Sequence, residues 1–280
     1  MTAFQEWRVL PMELDGIALS HRMRAGEVPI LMIHGIGPGT TGQANFGPLL
    51  EHLPSRFALH LIDLAGFGQS ALKTRPPFFD VSFWLLQIAS AIGRATEIHG
   101  RAPIVIGNSV GAALALKSAA SSPNVKQVLA IGAPAGPPAP PALRAFWTAP
   151  HDAAALATAM RPMTGAARLP DPALVEARMQ WFQDSDYGRY FDAMLTDPDD
   201  CLRAAMLAKS EAAELNCGVT LMHGRLDRAC PVSTVLSTLV PLLPDADIML
   251  LGACGHNVIY ERTADVIAAI ERLSERVDLQ

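Results

Sequence analysis

Two regimes of apolar and polar positions divide the 280-residue chain. In the first 133 residues, short apolar runs at Pro29 to Ile33, Ala58 to Ile62, Ile104 to Ile106 and Val125 to Ile131 each break off at a loop. The uninterrupted apolar run Pro29 to Ile33 reads as a buried strand, and the other three read as further strands. Residues 6 to 24 add two β segments joined by a turn at Asp15-Gly16. Helices are predicted over Val81 to Ile98 and, rich in Ala and Leu, up to about Ala120. Strand alternating with helix predicts a mostly parallel central sheet with helices on both faces.

From Ala133 to about Leu207 the pattern changes. The segments Ala142 to Trp147, Pro172 to Phe182 and Arg189 to Leu195 have helical spacing, and no strand candidate interrupts them. Strands resume at Val219 to His223 and Ile248 to Leu251, around a helical segment, and a terminal helix starts near Thr263. Because strands return, residues 134–207 are expected to form a helical lid inserted into one core made of residues 1–133 and 208–280. The proline-rich run Gly136 to Pro141 also fits an interdomain linker, the competing reading.

With 50% hydrophobic and 18% charged residues, the chain can bury one large core. Its formal net charge of −5, without any long basic stripe, argues against a nucleic-acid partner. No apolar stretch approaches the roughly 20 residues of a membrane span. Cys201, Cys217, Cys230 and Cys254 lack CxxC spacing and read as reduced structural thiols. A soluble cytoplasmic protein acting on a small molecule is expected, with a homo-oligomer left open.

Gly107-Asn108-Ser109-Val110-Gly111 falls between a predicted strand and a predicted helix. Small residues there permit a sharp turn that lifts the serine oxygen above the sheet edge, the nucleophile elbow. A serine hydroxyl needs a neutral imidazole to take its proton and a carboxylate to fix the imidazole tautomer. His256, in the glycine-rich loop Gly252 to His256 after the last strand, has the setting of the base. His21, His52, His60, His99 and His151 sit in segments where a solvated or core histidine is expected, and His223 reads as structural at a strand end. Asp227, after the penultimate strand, gives the chain order Ser, Asp, His; Asp63 is the main rival and Asp247 a weaker one. The loop His34 to Gly39 lacks the GKS/GKT ending of a phosphate cradle and reads as an oxyanion loop, with the backbone N–H groups of Ile36 and Val110 as donors. A serine at the elbow disfavours dehalogenation through a carboxylate nucleophile.

Together these residues resemble the α/β-hydrolase superfamily and, within it, the meta-cleavage-product hydrolases, carbon–carbon bond hydrolases of bacterial aromatic degradation. The resemblance covers nearly the whole chain. It is carried by His34-Gly35-x-Gly37-Pro38-Gly39 continuing to Ala44-Asn45-Phe46, by Asp63-Leu64-x-Gly66-Phe67-Gly68-x-Ser70, by Gly107-Asn108-Ser109 and by Gly255-His256. It implies an α/β-hydrolase fold and cleavage of a 2-hydroxy-6-oxo-hexa-2,4-dienoate by ketonisation and then nucleophilic addition at the distal ketone, with no metal or organic cofactor. It further implies a lid arginine on the dienoate end. Arg178, in Leu174-Val175-Glu176-Ala177-Arg178, matches that segment best, with Arg161 and Arg189 as substitutes. Asn45 and Asn108 are expected beside the substrate.

One position departs from the family. A tryptophan usually follows its catalytic histidine, and here Asn257 stands there. An amide in place of an indole removes an apolar wall and adds hydrogen-bonding capacity, so Asn257 is also expected at the substrate. Hydrolysis of an ester or amide in a small carboxylate-bearing substrate is therefore the alternative activity. A ligand-binding receptor on the same fold is a third reading, which the complete Ser, Asp, His set opposes.

Overall fold

The computed structural model describes residues 7–165, 169–183 and 185–278. The strands are β1 (Arg8–Val9), β2 (Met12–Leu14), β3 (Ile17–Arg24), β4 (Val28–Ile33), β5 (Phe57–Asp63), β6 (Ile104–Asn108), β7 (Gln127–Ile131), β8 (Gly218–Gly224) and β9 (Asp247–Leu251). They line up in the order β1-β3-β5-β4-β6-β7-β8-β9, with β2 paired to β3. From β5 to β9 every pairing is parallel, whereas β1, β2 and β5 run antiparallel to β3. Parallel registers such as Ile33 opposite Gly107, Asn108 opposite Ile131 and Gly224 opposite Leu251 bring the carboxyl ends of these strands to one edge. Loops there are where an open parallel sheet binds its ligand.

Helices α1 (Gly42–His52), α2 (Val81–His99) and α3 (Val110–Ala120) follow β4, β5 and β6. Between β7 and β8 come α4 (Pro141–Phe146), α5 (Ala153–Met160), α6 (Pro172–Met179), α7 (Ser185–Met194), α8 (Pro198–Ala205) and α9 (Lys209–Ala213), with no strand among the described residues. We call this stretch the helical insert. Helix α10 (Val232–Thr238) joins β8 to β9, and α11 (Val258–Glu261) and α12 (Thr263–Asp278) close the chain. None of the described helices is long and apolar enough to cross a membrane.

The core is layered on the two faces of the sheet. One apolar cluster joins the sheet to α2, α3 and the insert; the other joins it to α1, α11 and α12. Apolar runs such as β4 and β7 are buried along their whole length because helices cover both faces. Helix α2 is bounded by its caps: Asp80 accepts the N–H of Phe83, and Gly100 ends it in the left-handed conformation at φ 67°. Helix α1 lies outside the sequence expectation. Gly42, Gly47 and Pro48 are poor helix formers, and the helix stands on its Thr41 cap and on the burial of Asn45, Phe46 and Leu49.

A chain of imidazoles crosses the core beside β5. His21 Nε2 lies 2.9 Å from His60 Nδ1, and His60 Nε2 lies 3.0 Å from His99 Nε2. Burial, with Arg94 nearby, pushes His21 from 6.5 down to about 4. Burial, with His21 and His99 as neighbours, pushes His60 down to about 3. Unfolded, both bind a proton as the pH falls through 6.5; folded, both stay neutral until far lower. The unfolded chain thus holds more protons between these limits, and stability falls with pH. Urea unfolding at stepped pH is expected to show a loss on the order of 3 kcal/mol per histidine between pH 7 and 4, and a shallower loss in His60→Phe. An unchanged slope in that variant would locate the acid lability elsewhere.

Candidate active site

Ser109 sits between β6 and α3 with φ 56° and ψ −126°, a backbone conformation that costs energy outside glycine. Packing enforces the turn. A Cβ on Gly107 would lie 2.1 Å from the carbonyl oxygen of Gly111, and one on Gly111 would lie 2.2 Å from that of Ile33. Only glycine at both positions lets α3 come back this tightly onto the sheet. The N–H of Ser109 then bonds the carbonyl of Ile131 at the end of β7 (2.8 Å).

The next residue, Gly132, carries the ring of His256: a Cβ there would stand 3.3 Å from both Nδ1 and Cε1. Thus serine and histidine converge at the tip of β7. His256 Nδ1 is 2.7 Å from Oδ2 of Asp227, in the loop after β8. Oδ1 of Asp227 accepts the N–H groups of Ala229 (2.9 Å) and Cys230 (2.7 Å). Burial alone pushes this carboxyl upward. His256 and the hydrogen bonds from His223 and His256 outweigh it and hold the group well below the usual carboxylate range. Burial likewise disfavours a charged His256, yet Asp227 and, more weakly, Glu261 leave it above the ordinary 6.5. Next to an ionised Asp227, Nδ1 carries the ring proton, which leaves Nε2 as the basic atom.

Asp63, the rival carboxylate, is committed elsewhere: Oδ1 accepts the N–H of Gly42 (2.7 Å) and Oδ2 that of Gln69 (3.0 Å). Asp247 is half-exposed and paired with Arg276.

The glycine-rich loop after β4 closes on the serine. A Cβ on Gly35 would lie 2.8 Å from that of Ser109. His34 pins the loop's base, with Nδ1 2.8 Å from the carbonyl of Gly35 and Nε2 accepting from Leu64 (2.9 Å). Among the described hydrogen bonds, none engages the backbone N–H of Ile36 or of Val110, so both donors are available to an oxyanion. Asn45 accepts from the N–H of Gly35 (2.8 Å) and from Asn108 Nδ2 (3.3 Å), and Oδ1 of Asn108 is buried without a partner.

The insert packs down on this loop. Trp147 Nε1 donates to the carbonyl of Ile36 (2.9 Å), and a Cβ on Gly37 would touch the Phe146 ring at 2.4 Å. Arg178 is 6% exposed; its Nη1 donates to Thr40 Oγ1 (2.8 Å) and to the carbonyl of Pro38 (3.3 Å), and its guanidinium lies 5.8 Å from the Phe146 ring centre. Its Nε is buried and unpartnered, and among the described ion pairs none includes it. Burial lowers its pKa from 12.5 to about 10, so it is charged at neutral pH. A buried cation without a counter-ion is costly, and an anionic ligand would relieve it. Arg161 and Arg189 are exposed, Arg189 against Asp186.

Asp227, Cys230 and His256 bring possible metal-ligand atoms within 4.8 Å of one another. The 2.7 Å between Asp227 and His256 is a hydrogen bond, shorter than the about 3.3 Å between two ligands of one tetrahedral zinc. Burial also raises the Cys230 thiol well above its ordinary value, which keeps it protonated. These three groups therefore fit a proton-transfer site better than a metal centre.

Residues 30–270 match the model of the alpha/beta hydrolase family. The chain belongs to that family. Within it, the chain is 28% identical over 240 residues to the 2-hydroxymuconate semialdehyde hydrolase of Pseudomonas sp. (strain CF600), covering 84% of this chain and 83% of the relative. It is 26% identical over 255 residues to the 2-hydroxy-6-oxo-2,4-heptadienoate hydrolase of Pseudomonas putida, covering 89% and 90%. Among solved structures, the meta-cleavage product hydrolase of Pseudomonas fluorescens IP01 superposes with a TM-score of 0.84 at 22% identity, over 94% of this chain and 96% of the other.

In this alpha/beta hydrolase two site residues were not legible as such. His223, read as structural, places Nε2 3.1 Å from Oδ2 of Asp227 while lying 2.7 Å from the carbonyl of Cys230. The four-residue spacing between His223 and Asp227 around a tight turn was the available signal. Glu261, which accepts from the N–H groups of Gly165 and Gly255, gave no signal. Asn257 is half-buried next to His256, and among the described hydrogen bonds its side chain makes none.

Proposed function

We propose that this alpha/beta hydrolase is serine-dependent and cleaves the carbon–carbon bond of a 2-hydroxy-6-oxo-2,4-dienoate, an acid formed by ring cleavage of an aromatic compound. Arg178 carries the reading. A buried guanidinium with no described ion pair, held from α6 against the loop that approaches Ser109, suits a substrate with a carboxylate at one end and a reacting carbonyl at the other. The names of the relatives describe acids of that kind. Residues 134–207 serve as a lid over a core of residues 1–133 and 208–280, with Trp147 and Arg178 holding the oxyanion loop from above.

The dienol first becomes a ketone, its 2-hydroxyl proton being replaced by a proton at C5. Ser109 Oγ then gives its proton to Nε2 of His256 and bonds to C6, and the oxyanion formed is held by the N–H groups of Ile36 and Val110. The C5–C6 bond breaks, and its electron pair passes through the conjugated chain to the 2-oxygen, which takes up a proton to give 2-hydroxypenta-2,4-dienoate. Water, deprotonated by His256, frees the acyl group from Ser109 as a carboxylic acid. Asp227 stays ionised and holds the imidazole. Asn45 and Asn108, joined beside Gly35, contact the carboxylate or enol end.

The Asn257 amide favours a second reading, hydrolysis of an ester or amide in a small carboxylate-bearing substrate by the same serine. A substrate panel separates the two. Product analysis with the dienoate is expected to give the acid and the hydroxypentadienoate in equal amounts, whereas turnover of carboxylate-bearing esters alone would favour the second. In the same panel Arg178→Met is expected to lower kcat/KM for the dienoate by roughly 30-fold, about 2 kcal/mol for a hydrogen-bonded charge, and to leave neutral esters nearly unchanged. Equal losses on both would make Arg178 a structural arginine.

A further inference from the structure

Five residues beyond His256, Glu261 ends α11 and turns back toward the loop that carries the histidine. Its Oε2 accepts the N–H of Gly165 in the insert at 2.9 Å, and both oxygens lie 3.2 Å from the N–H of Gly255. The carbonyl of Met163, two residues before Gly165, accepts the N–H groups of His256 (2.8 Å) and Asn257 (3.1 Å). One carboxylate and one carbonyl therefore join the insert to the histidine loop. The two backbones touch: a Cβ on Gly255 would lie 2.5 Å from the nitrogen of Gly165, and one on Gly165 would lie 2.6 Å from that of Gly255.

We propose that Glu261 is a positioning residue whose carboxylate clamps the Met163–Gly165 turn of the insert to the Gly255–His256 loop, so that His256 holds its working orientation only while the insert is docked. This rests on the serine-hydrolase reading of Ser109, Asp227 and His256. Glu261 adds a negative charge near the imidazole. Asp227 and the Cys230 thiol, from the loop after β8, also lie close to it, and His223, at the end of β8, meets the same Asp227. The Cys254 thiol and Arg262 also lie near Glu261. Removing the carboxylate loosens the clamp and withdraws a charge that favours the imidazolium.

A fluorophosphonate probe, which labels an activated serine whatever the natural substrate, reads both effects. Labelling rates are followed from pH 5 to 9 in the full-length wild type, Glu261→Ala, Glu261→Gln and Ser109→Ala, with amide hydrogen exchange over residues 163–165 and 255–257. Glu261→Ala is expected to label at least about tenfold more slowly on the plateau, as a misoriented base does, with faster exchange in both segments and a lower acid midpoint. Glu261→Gln, which keeps one acceptor oxygen and loses the charge, recovers the plateau rate to within about threefold, as a retained hydrogen bond allows, and keeps the lowered midpoint. Labelling that survives Ser109→Ala overturns the serine reading and the clamp with it. Labelling that disappears in Ser109→Ala and keeps the wild-type rate and midpoint in Glu261→Ala overturns the clamp alone. So does a slow Glu261→Ala that the glutamine fails to rescue and whose exchange is unchanged.

Discussion

Replacing Ser109 by alanine is expected to lower kcat by about a million-fold, the scale on which deleting a nucleophile acts in triad enzymes. The loss comes from chemistry and not from folding. Ser109 is held by main-chain geometry: its N–H on Ile131, its turn set by Gly107 and Gly111, and its side chain making no described hydrogen bond that anchors the loop. Alanine keeps that backbone, so the melting temperature should move little while turnover disappears. The N–H groups of Ile36 and Val110 and the guanidinium of Arg178 remain, so the variant should still bind substrate. Binding followed spectroscopically without cleavage is the expected behaviour. Turnover within tenfold of wild type would remove Ser109 from the mechanism.

Asp227→Asn should lower kcat by about ten-thousand-fold with a nearly unchanged structure. The carboxylate now receives His256, His223 and two backbone N–H groups. A neutral amide has one acceptor oxygen, and if that oxygen stays on Ala229 and Cys230, an NH2 group faces Nδ1 of His256. The imidazole must then accept there, which puts its proton on Nε2, the atom that has to take the proton of Ser109. With His256 as the neutral base of the proposed mechanism and its folded pKa raised, the ordinary kcat/KM profile should rise through a midpoint above pH 6.5. Residual activity in Asp227→Asn should lose that upward displacement. A loss below tenfold would mean that another group orients the histidine.

The central strands were the most legible part of this chain because burial on both faces leaves mostly apolar runs, unbroken in β4 and interrupted over Phe57 to Ile62 of β5 only by the buried His60; the amino-terminal stretch, read as two β segments, forms the three strands β1, β2 and β3. The alternation of such runs with helical periods also disclosed the parallel sheet, and hence the edge at which Ser109, Asp227 and His256 meet. Helix α1 was not legible, since its glycines and proline oppose a helix that tertiary packing and the Thr41 cap maintain. Sequence spacing left Asp63 and Asp227 as rivals. Their separation is three-dimensional, Asp63 serving the N–H groups of Gly42 and Gln69 and Asp227 meeting His256. The same holds for Arg178 among the insert's arginines, because charge compensation is a property of neighbours that no local pattern records. Glu261 illustrates the limit most clearly. Its partners, Gly165 and Gly255, are glycines, and only the contact of two backbones gives a carboxylate at that position a role.

Stopped-flow absorbance after mixing the protein with 2-hydroxy-6-oxo-2,4-heptadienoate, run beside Ser109→Ala, tests serine-dependent carbon–carbon cleavage most directly. Rapid loss of the dienolate colour is expected in the wild type, with acetate and 2-hydroxypenta-2,4-dienoate formed one to one. In the variant a persistent coloured or ketonised complex that releases neither product is expected. Colour that persists in the wild type, or products formed at the same rate in both proteins, would contradict serine-dependent cleavage of the carbon–carbon bond.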